Sequence, residues 1–437
     1  MNIPQTLNLV IMNLQKKMRI CIIGGGAAGL CALRNFAENL NYFDLVVFEK
    51  TEKIGGTWVY NEKTGLDSNG LPIHSSMYRD LRTNLPCEIM NFPDYRKMKG
   101  DKSSTVTHEQ ILSYLKNYSE HFQLCQYIQF NTLVENVKPE IKENDSKIIV
   151  WKVQIKNLKT KQISHEVFDG IIVCTGQYFQ PNIPEIPGIE TFPGTILHSH
   201  SYRKPEDFTN KSIVILGASS SGIDIGIELC AHANQVYLSH YGERIVSILP
   251  SQLIQVMEIS RIEKNKIYFI NGNSVQVDAI IYCTGYLITF PFLDESCGIT
   301  VDNNYVYPLY KHMININYPT MCFLGMNTKV VPFPMFHMKA KYYLAYLKGE
   351  LTLPTKEEMM EDSKLKTEKK NHAHSLATQQ WSFNNSLAEA GGFNPLPPFY
   401  EMGYKAWWNL RKTNLFHYKD YKLIIADDDK SVEVILG

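Results

Sequence analysis

Apolar and polar positions alternate along the chain so as to repeat one local order twice: strand, glycine turn, helix, strand. Arg19 to Ile23 is a short β-branched run that predicts a strand. Beyond a glycine cluster, Leu30, Leu33, Phe36, Ala37 and Leu40 recur at helical spacing and predict a helix over about 27–39, with a second strand over Asp44 to Glu49. The order returns as a strand over 212–216, a helix over about 219–231 and a strand over 235–239. Two such units so far apart predict two Rossmann-like halves rather than one.

Each half also ends alike. The stretches from Phe168 to Gly176 and from Val277 to Gly285 both run through an Asp, a buried strand and then Cys-Thr-Gly. A strand that closes on glycine suits a chain crossing between domains beside a ligand. The expected fold is therefore α/β, with two Rossmann-like dinucleotide-binding domains. A smaller one, residues 177–284, is inserted into a larger discontinuous one made of 1–176 and 285–437. Further on, a helix is predicted from Phe333 to Leu347, started by Pro332 and Pro334, with Phe336, Ala340, Tyr343, Leu344 and Leu347 as its apolar stripe. The charge-rich stretch from Lys356 to Lys370 reads as a solvated helix face, and Trp381, Trp407 and Trp408 read as core.

Composition narrows the class. A chain of 437 residues, 44% of them hydrophobic, can bury the cores of two or three domains. Its 44 basic and 44 acidic residues cancel, which argues against a nucleic-acid or membrane-surface partner. Nine cysteines without a Cys-x-x-Cys pair argue against a disulfide framework, a zinc site or a redox cysteine pair, and favour a reducing compartment. Nowhere do about 18 apolar residues run together as a membrane span needs, so a soluble protein is expected, cytoplasmic by preference and secreted as the alternative. The apolar patch from Leu7 to Leu14 is broken by Asn8 and Asn13 and reads as a disordered extension, with a signal peptide the alternative. Met18 is a second candidate start, and sequons occur at Asn117 and Asn144. Oligomeric state is unreadable, and a homo-oligomer is left open.

The chemistry sits in the two glycine turns. Gly24-Gly25-Gly26-Ala27-Ala28-Gly29 fits G-x-G-x-x-G between a strand and a helix. Gly24 permits the turn, Gly26 lets backbone approach a pyrophosphate, Gly29 lets helix pack on strand, and the helix N-terminus offers N–H groups to phosphate. Glu49, twenty residues past Gly29, stands where a carboxylate accepts ribose hydroxyls. The motif alone does not separate FAD from NAD; its place first in the chain favours FAD. The second turn, Gly217-Ala218-Ser219-Ser220-Ser221-Gly222, has Ser219 where a glycine is expected, and Ser219 or Ser220 can still serve a phosphate. Its following strand ends on Ser239, followed by His240 and Arg244. With no carboxylate to repel a 2′-phosphate and an Arg to bind it, NADPH is favoured over NADH.

Between the turns runs Phe192-Pro193-Gly194-Thr195-Ile196-Leu197-His198-Ser199-His200-Ser201-Tyr202-Arg203. It matches F-x-G-x-x-x-H-x-x-x-(Y/F)-(K/R) and resembles the identifying sequence of the flavin-containing monooxygenases. Tyr202-Arg203 points to the N- and S-oxygenating branch, since the Baeyer–Villiger enzymes carry Trp followed by Pro or Asp there. Gly55-Gly56-Thr57-Trp58 after Glu49-Lys50, Thr83-Asn84 before Phe92-Pro93-Asp94, and Cys283-Thr284-Gly285-Tyr286 agree. The resemblance covers nearly everything past residue 18 and is strongest to the compact insect enzymes.

That resemblance implies FAD and NADPH as cofactors, with Gly56 and Trp58 joining the first turn in holding the flavin. It implies that NADPH reduces FAD, that O2 adds to give a C4a-hydroperoxide, and that a small nucleophilic amine, alkaloid or sulfide takes the distal oxygen. His198 then anchors the inter-domain linker without acid–base work. Asn84 is the catalytic candidate, touching the oxygenating species in the family; its plainer reading is a turn residue in Arg82-Thr83-Asn84-Leu85-Pro86. The N-terminus of the helix after Pro334 is expected to face the flavin, its dipole favouring the reduced anion. The alternatives are a Baeyer–Villiger enzyme acting on ketones and a flavin-binding NADPH oxidase that releases only peroxide.

Overall fold

The protein is described by a computed structural model over residues 16–142 and 145–437. The apolar patch over 7–14 and the sequon residue Asn144 lie outside the described residues. In chain order the elements that place the site begin with β1 (Met18–Ile23), α1 (Ala27–Ala37), β2 (Phe43–Phe48), α2 (His108–His121) and β3 (Gly170–Val173). They continue with β4 (Thr195–His198), β5 (Ser212–Leu216), α3 (Ser220–Leu229), β6 (Gln235–Ser239), β7 (Leu253–Val256) and β8 (Ala279–Tyr282). Last come β9 (Met321–Phe323), α4 (Pro332–Leu347), α5 (Gln380–Gly391) and α6 (Phe399–Thr413).

Two parallel sheets result. The first has seven strands, with β9, β3, β1 and β2 parallel at its centre and short strands at both edges. The second has five, ordered β7-β6-β5-β8-β4, every pairing parallel. Parallel strands covered on both faces should be apolar throughout, and β3 and β8 are buried at every position. An antiparallel three-stranded sheet over Thr132–Lys142, Asp145–Asn157 and Ile163–Phe168 packs Trp151 and Val153 against the first sheet. The fold is the expected α/β pair of Rossmann-like units.

Several local expectations change. Helix α1 stops at Ala37, and Leu40, assigned to its stripe, lies past the end and 38% exposed. Helix α4 has no single stripe: it packs on α1 and α5 together, burying Phe333, Met335, Met338 and Lys339 as well as Ala340 and Tyr343. Phe336, Leu344 and Leu347 are only partly buried. The charged stretch forms a helix only over Lys356–Asp362, opened by a Thr355–Glu358 capping box. Trp381 and Trp407 are core, whereas Trp408 is exposed. No helix among the described residues is long and apolar enough to cross a membrane.

Candidate functional site

The first glycine turn is built by contact as much as by freedom. Gly24 has φ +107°, and a Cβ there would stand 2.6 Å from the Cys174 carbonyl oxygen; a Cβ on Gly29 would stand 1.9 Å from the Gly24 oxygen. Gly26 differs, with φ −78° and ψ −172°, open to any residue. Its special feature is its neighbour, since Gly26 and Gly56 face each other and a Cβ on Gly56 would come within 3.1 Å of the Gly26 Cα. Two bare backbones therefore form a cradle that side chains would fill. Helix α1 opens on it with no side-chain cap and no acidic residue in its first turn, leaving N–H groups for an anion.

Glu49 sits just beyond β2, buried, with Oε2 accepting from the Gly25 N–H at 2.7 Å. Oε1 accepts from the N–H and hydroxyl of Thr51, both at 2.8 Å. The carboxylate is thereby held beside the turn, with lone pairs to spare for a ribose. Thr51 was not anticipated, because its part is only to orient Glu49. Trp58 lies in the short helix Gly56–Trp58 and packs, half-buried, against the first core. A flavin dinucleotide fits these residues: the cradle, the uncapped helix and the oriented acid each await one part of it.

The second turn repeats the first closely. A Cβ on Gly217 would stand 2.5 Å from the Cys283 oxygen, and one on Gly222 would stand 1.8 Å from the Gly217 oxygen. Cys174 and Cys283, the cysteines of the repeated Cys-Thr-Gly, are thus the floors under the two turns, which gives the repeat a packing reason. Ser219 adopts φ −85° and ψ −166°, almost the Gly26 conformation, so serine is tolerated there without strain. Its side chain makes no cap bond and is exposed with that of neighbouring Ser220 half-buried, so both remain open to a ligand. Ser239 is not: its hydroxyl donates to the Met257 carbonyl at 2.9 Å and the residue is buried. His240 contacts Gln255 at 3.2 Å, whereas Arg244 is exposed and in no ion pair among the described residues. Of the residues proposed for a 2′-phosphate, Arg244 alone has a free charge.

The stretch from Phe192 to Arg203 is a joint. Gly194 lies against the Asp278 carbonyl and the Phe192 ring, with no room for a side chain. His198 ends β4, where a ring nitrogen (Nε2) lies 3.0 Å from the Gly285 carbonyl, and Nδ1 accepts from the His200 N–H at 3.1 Å. Burial pulls His198 down to about 4, so it is neutral and its Nε2–H donates to Gly285. Gly285 is also where the chain crosses back, and Gln180–Pro181 pairs with Tyr286–Leu287 to make the two crossings one ribbon. Buried Arg203 donates to the carbonyls of Asn61 (2.7 Å), His200 (2.8 Å), Tyr202 (2.9 Å) and Lys63 (3.2 Å). Tyr202 donates to Glu228 of α3 at 2.9 Å. His198 and Arg203 thus tie one unit to the other, while Tyr202 anchors the motif to α3 within its own unit.

Asn84 lies half-buried where three elements meet. Its backbone carbonyl accepts from Trp407 Nε1 at 3.1 Å, and its side-chain Oδ1 accepts from the Tyr418 hydroxyl at 3.0 Å. Its neighbour Leu85 packs in a cluster with Ile89, Ile223 of α3, Val331 at the head of α4, and Trp407 and Tyr418. The Asn84 loop thus touches the second nucleotide unit, α4 and the C-terminal segment. Sequence alone could not bring in Tyr418, which is 334 residues away.

Helix α4 begins beside the first turn: Gly325 lies between Ala28 of α1 and Phe336 of α4, a Cβ there being 3.9 and 3.8 Å from them. Val331 donates to Gln380 Oε1 at 2.8 Å, and Pro332 and Pro334 have no N–H. The helix head therefore works through its dipole and at most one free N–H, that of Phe333.

Comparison with known proteins agrees with this geometry. The family model for flavin-binding monooxygenase-like proteins matches residues 16–252 and 245–388. The Arabidopsis thaliana flavin-containing monooxygenase FMO GS-OX5 is 36% identical over 404 residues, covering 86% of each chain. The structure of S-allyl-L-cysteine S-oxygenase from Allium sativum superposes with a TM-score of 0.84 at 33% identity, over 95% of this chain and 96% of that one. Tmm from a Pelagibacter species gives 0.83 at 27% identity over 95% of both.

Proposed function

The chain belongs to the flavin-binding monooxygenase-like family, and we propose that it uses NADPH and O2 to oxygenate a nucleophilic nitrogen or sulfur of a small molecule, giving an N-oxide or S-oxide. Membership makes it a flavoprotein monooxygenase with FAD and NADP(H) as cofactors. We assign residues 1–176 and 285–437 to FAD and 177–284 to NADPH, on the two glycine turns and the ribbon between them. The sulfur arm draws support from the Allium sativum relative, whose substrate is named as a thioether amino acid.

When bound, reduced FAD supplies the activation of dioxygen and the transfer of one oxygen atom. Gly24, Gly26, Gly29 and Gly56 give its pyrophosphate a backbone cradle, Glu49 its ribose an acceptor, and Trp58 a wall. Gly217, Ser219, Ser220 and Gly222 hold the NADPH pyrophosphate, and Arg244 selects the 2′-phosphate by charge. Asn84 is the observation that carries the reading. An amide donates a hydrogen bond at the reacting centre without losing a proton, and its Oδ1 is already engaged. The histidines near the crossing cannot act as stray acids. Burial pulls His74 down to about 3 and His198 to about 4, so both stay neutral, as a site that must avoid peroxide release requires.

Anaerobic reduction with NADPH, followed by oxygen with a thioether, a tertiary amine and a ketone in parallel, tests the reading. Oxidation of the thioether or amine supports it; conversion of the ketone alone, to an ester or lactone, contradicts it.

A further inference from the structure

The C-terminal turn at Tyr418–Asp420 meets two places that function must keep in register. Tyr418 donates to Asn84 Oδ1 at 3.0 Å. The next residue, Lys419, places Nζ 2.7 Å from Asp224 Oδ2 on α3 and 3.1 Å from the Arg82 carbonyl. Arg82 returns the contact by donating to the Lys419 carbonyl, and to Asp420 Oδ1 at 3.3 Å. The Lys419–Asp224 pair is sheltered, its side chains 17% and 9% exposed, so it is unlike the exposed pairs that contribute little. Tyr78 Oη adds a contact to Asp224 at 3.4 Å.

The hydrogen-bond sense follows from chemistry. Burial, with the Asp224 carboxylate adding to it, pushes the Tyr418 phenol well above its usual range, so it remains a donor. An amide that accepts through Oδ1 is left to donate through Nδ2, whereas a flipped amide would spend Nδ2 on the phenol oxygen and leave Oδ1, an acceptor, free. Asp224 lies on the helix that starts at the second glycine turn. Residues 418–420 therefore link that helix to the Asn84 loop directly.

We propose that Tyr418 and Lys419 are positioning residues: Tyr418 fixes the Asn84 amide with its N–H groups toward the reaction, and Lys419 registers that loop to the NADPH unit through Asp224. This rests on the assignment of Asn84 made above. Both act through other side chains, Tyr418 through Asn84 and Lys419 through Asp224.

The test uses the holoenzyme with four variants: Tyr418→Phe, Lys419→Met, Asn84→Ala, and the double variant Asn84→Ala/Tyr418→Phe. Three quantities are read: hydrogen peroxide per oxygenated thioether, the Kd for NADP+ by fluorescence without turnover, and the Asn84 side chain in a crystal structure of Tyr418→Phe. Tyr418→Phe should raise the peroxide-to-product ratio about fivefold, the weight of one hydrogen bond, and turn or split the Asn84 amide, with FAD content unchanged. On the Asn84→Ala background the same change should add nothing. Lys419→Met should weaken NADP+ binding roughly threefold; this variant carries the test should Tyr418→Phe fail to fold. A raised ratio in Asn84→Ala with none in Tyr418→Phe would overturn the positioning role alone, as would additive effects in the double variant or an unchanged NADP+ Kd in Lys419→Met. An unchanged ratio in Asn84→Ala would overturn the assignment of Asn84 itself.

Discussion

Gly26 and Ser219 hold nearly one backbone conformation, so the glycines of a fingerprint are not equal in kind. Gly26→Ala places its Cβ 3.5 Å from the Gly56 Cα, an ordinary contact at an allowed φ. The apoprotein should keep its stability within about 1 kcal/mol while FAD binding weakens tenfold or more, read by denaturation and by flavin fluorescence. Gly29→Ala drives a Cβ against the Gly24 oxygen and should destabilise even the apoprotein, by roughly 3 kcal/mol. Equal effects of the two changes on the apoprotein would contradict this division. Glu228 offers a pH test. Burial raises it from 4.5 to about 7, and its Oε1 has no partner. A carboxyl raised on folding contributes stability below pH 4.5 that is lost as pH rises through 7. Glu228→Gln should therefore gain stability over the wild type between those values, in paired unfolding curves at pH 5 and pH 8. No widening of the gap would show that Glu228 ionises freely.

At the scale of elements, what could be read from sequence was what is local. Strand, turn and helix in each Rossmann unit lie within about thirty residues of one another, and the 3.6-residue period marks α1 and α3 within two or three residues of their ends. Helix α4 escaped that reading because two helices cover it, so the buried side is not a stripe, and Lys339 points inward to Asn327 and the His312 carbonyl. The fingerprint from Phe192 to Arg203 named a family before its work was visible. In the fold its arginine clamps carbonyls on both sides of the joint, a task for a planar fork of donors. Arg203→Lys should cost roughly 3 kcal/mol in denaturant unfolding, and make the segment over 60–76 more open to proteolysis. Turnover per bound flavin should stay within about twofold of wild type; a large loss of turnover at full stability would give Arg203 a direct part in the chemistry.

For the whole molecule, the two nucleotide units are joined by contacts that include the ribbon, the fingerprint joint and the C-terminal turn. The placement of a C-terminal segment against Asn84 had no sequence signal, because contacts made across hundreds of residues leave no period or spacing. The proposed NADPH preference belongs to this scale, since we assign it to an exposed cation, Arg244, and to a strand end without an acid. Arg244→Ser should raise the KM for NADPH about tenfold and leave that for NADH nearly unchanged, measured in steady-state flavin reduction. Equal changes for both nucleotides would place the 2′-phosphate elsewhere. The reaction itself is tested most directly by turnover of a dialkyl sulfide or tertiary amine with NADPH under 18O2. A monooxygenase of the proposed kind yields S-oxide or N-oxide carrying one labelled oxygen, with one NADPH consumed per product. Unlabelled product, or NADPH consumption matched only by hydrogen peroxide, would contradict it.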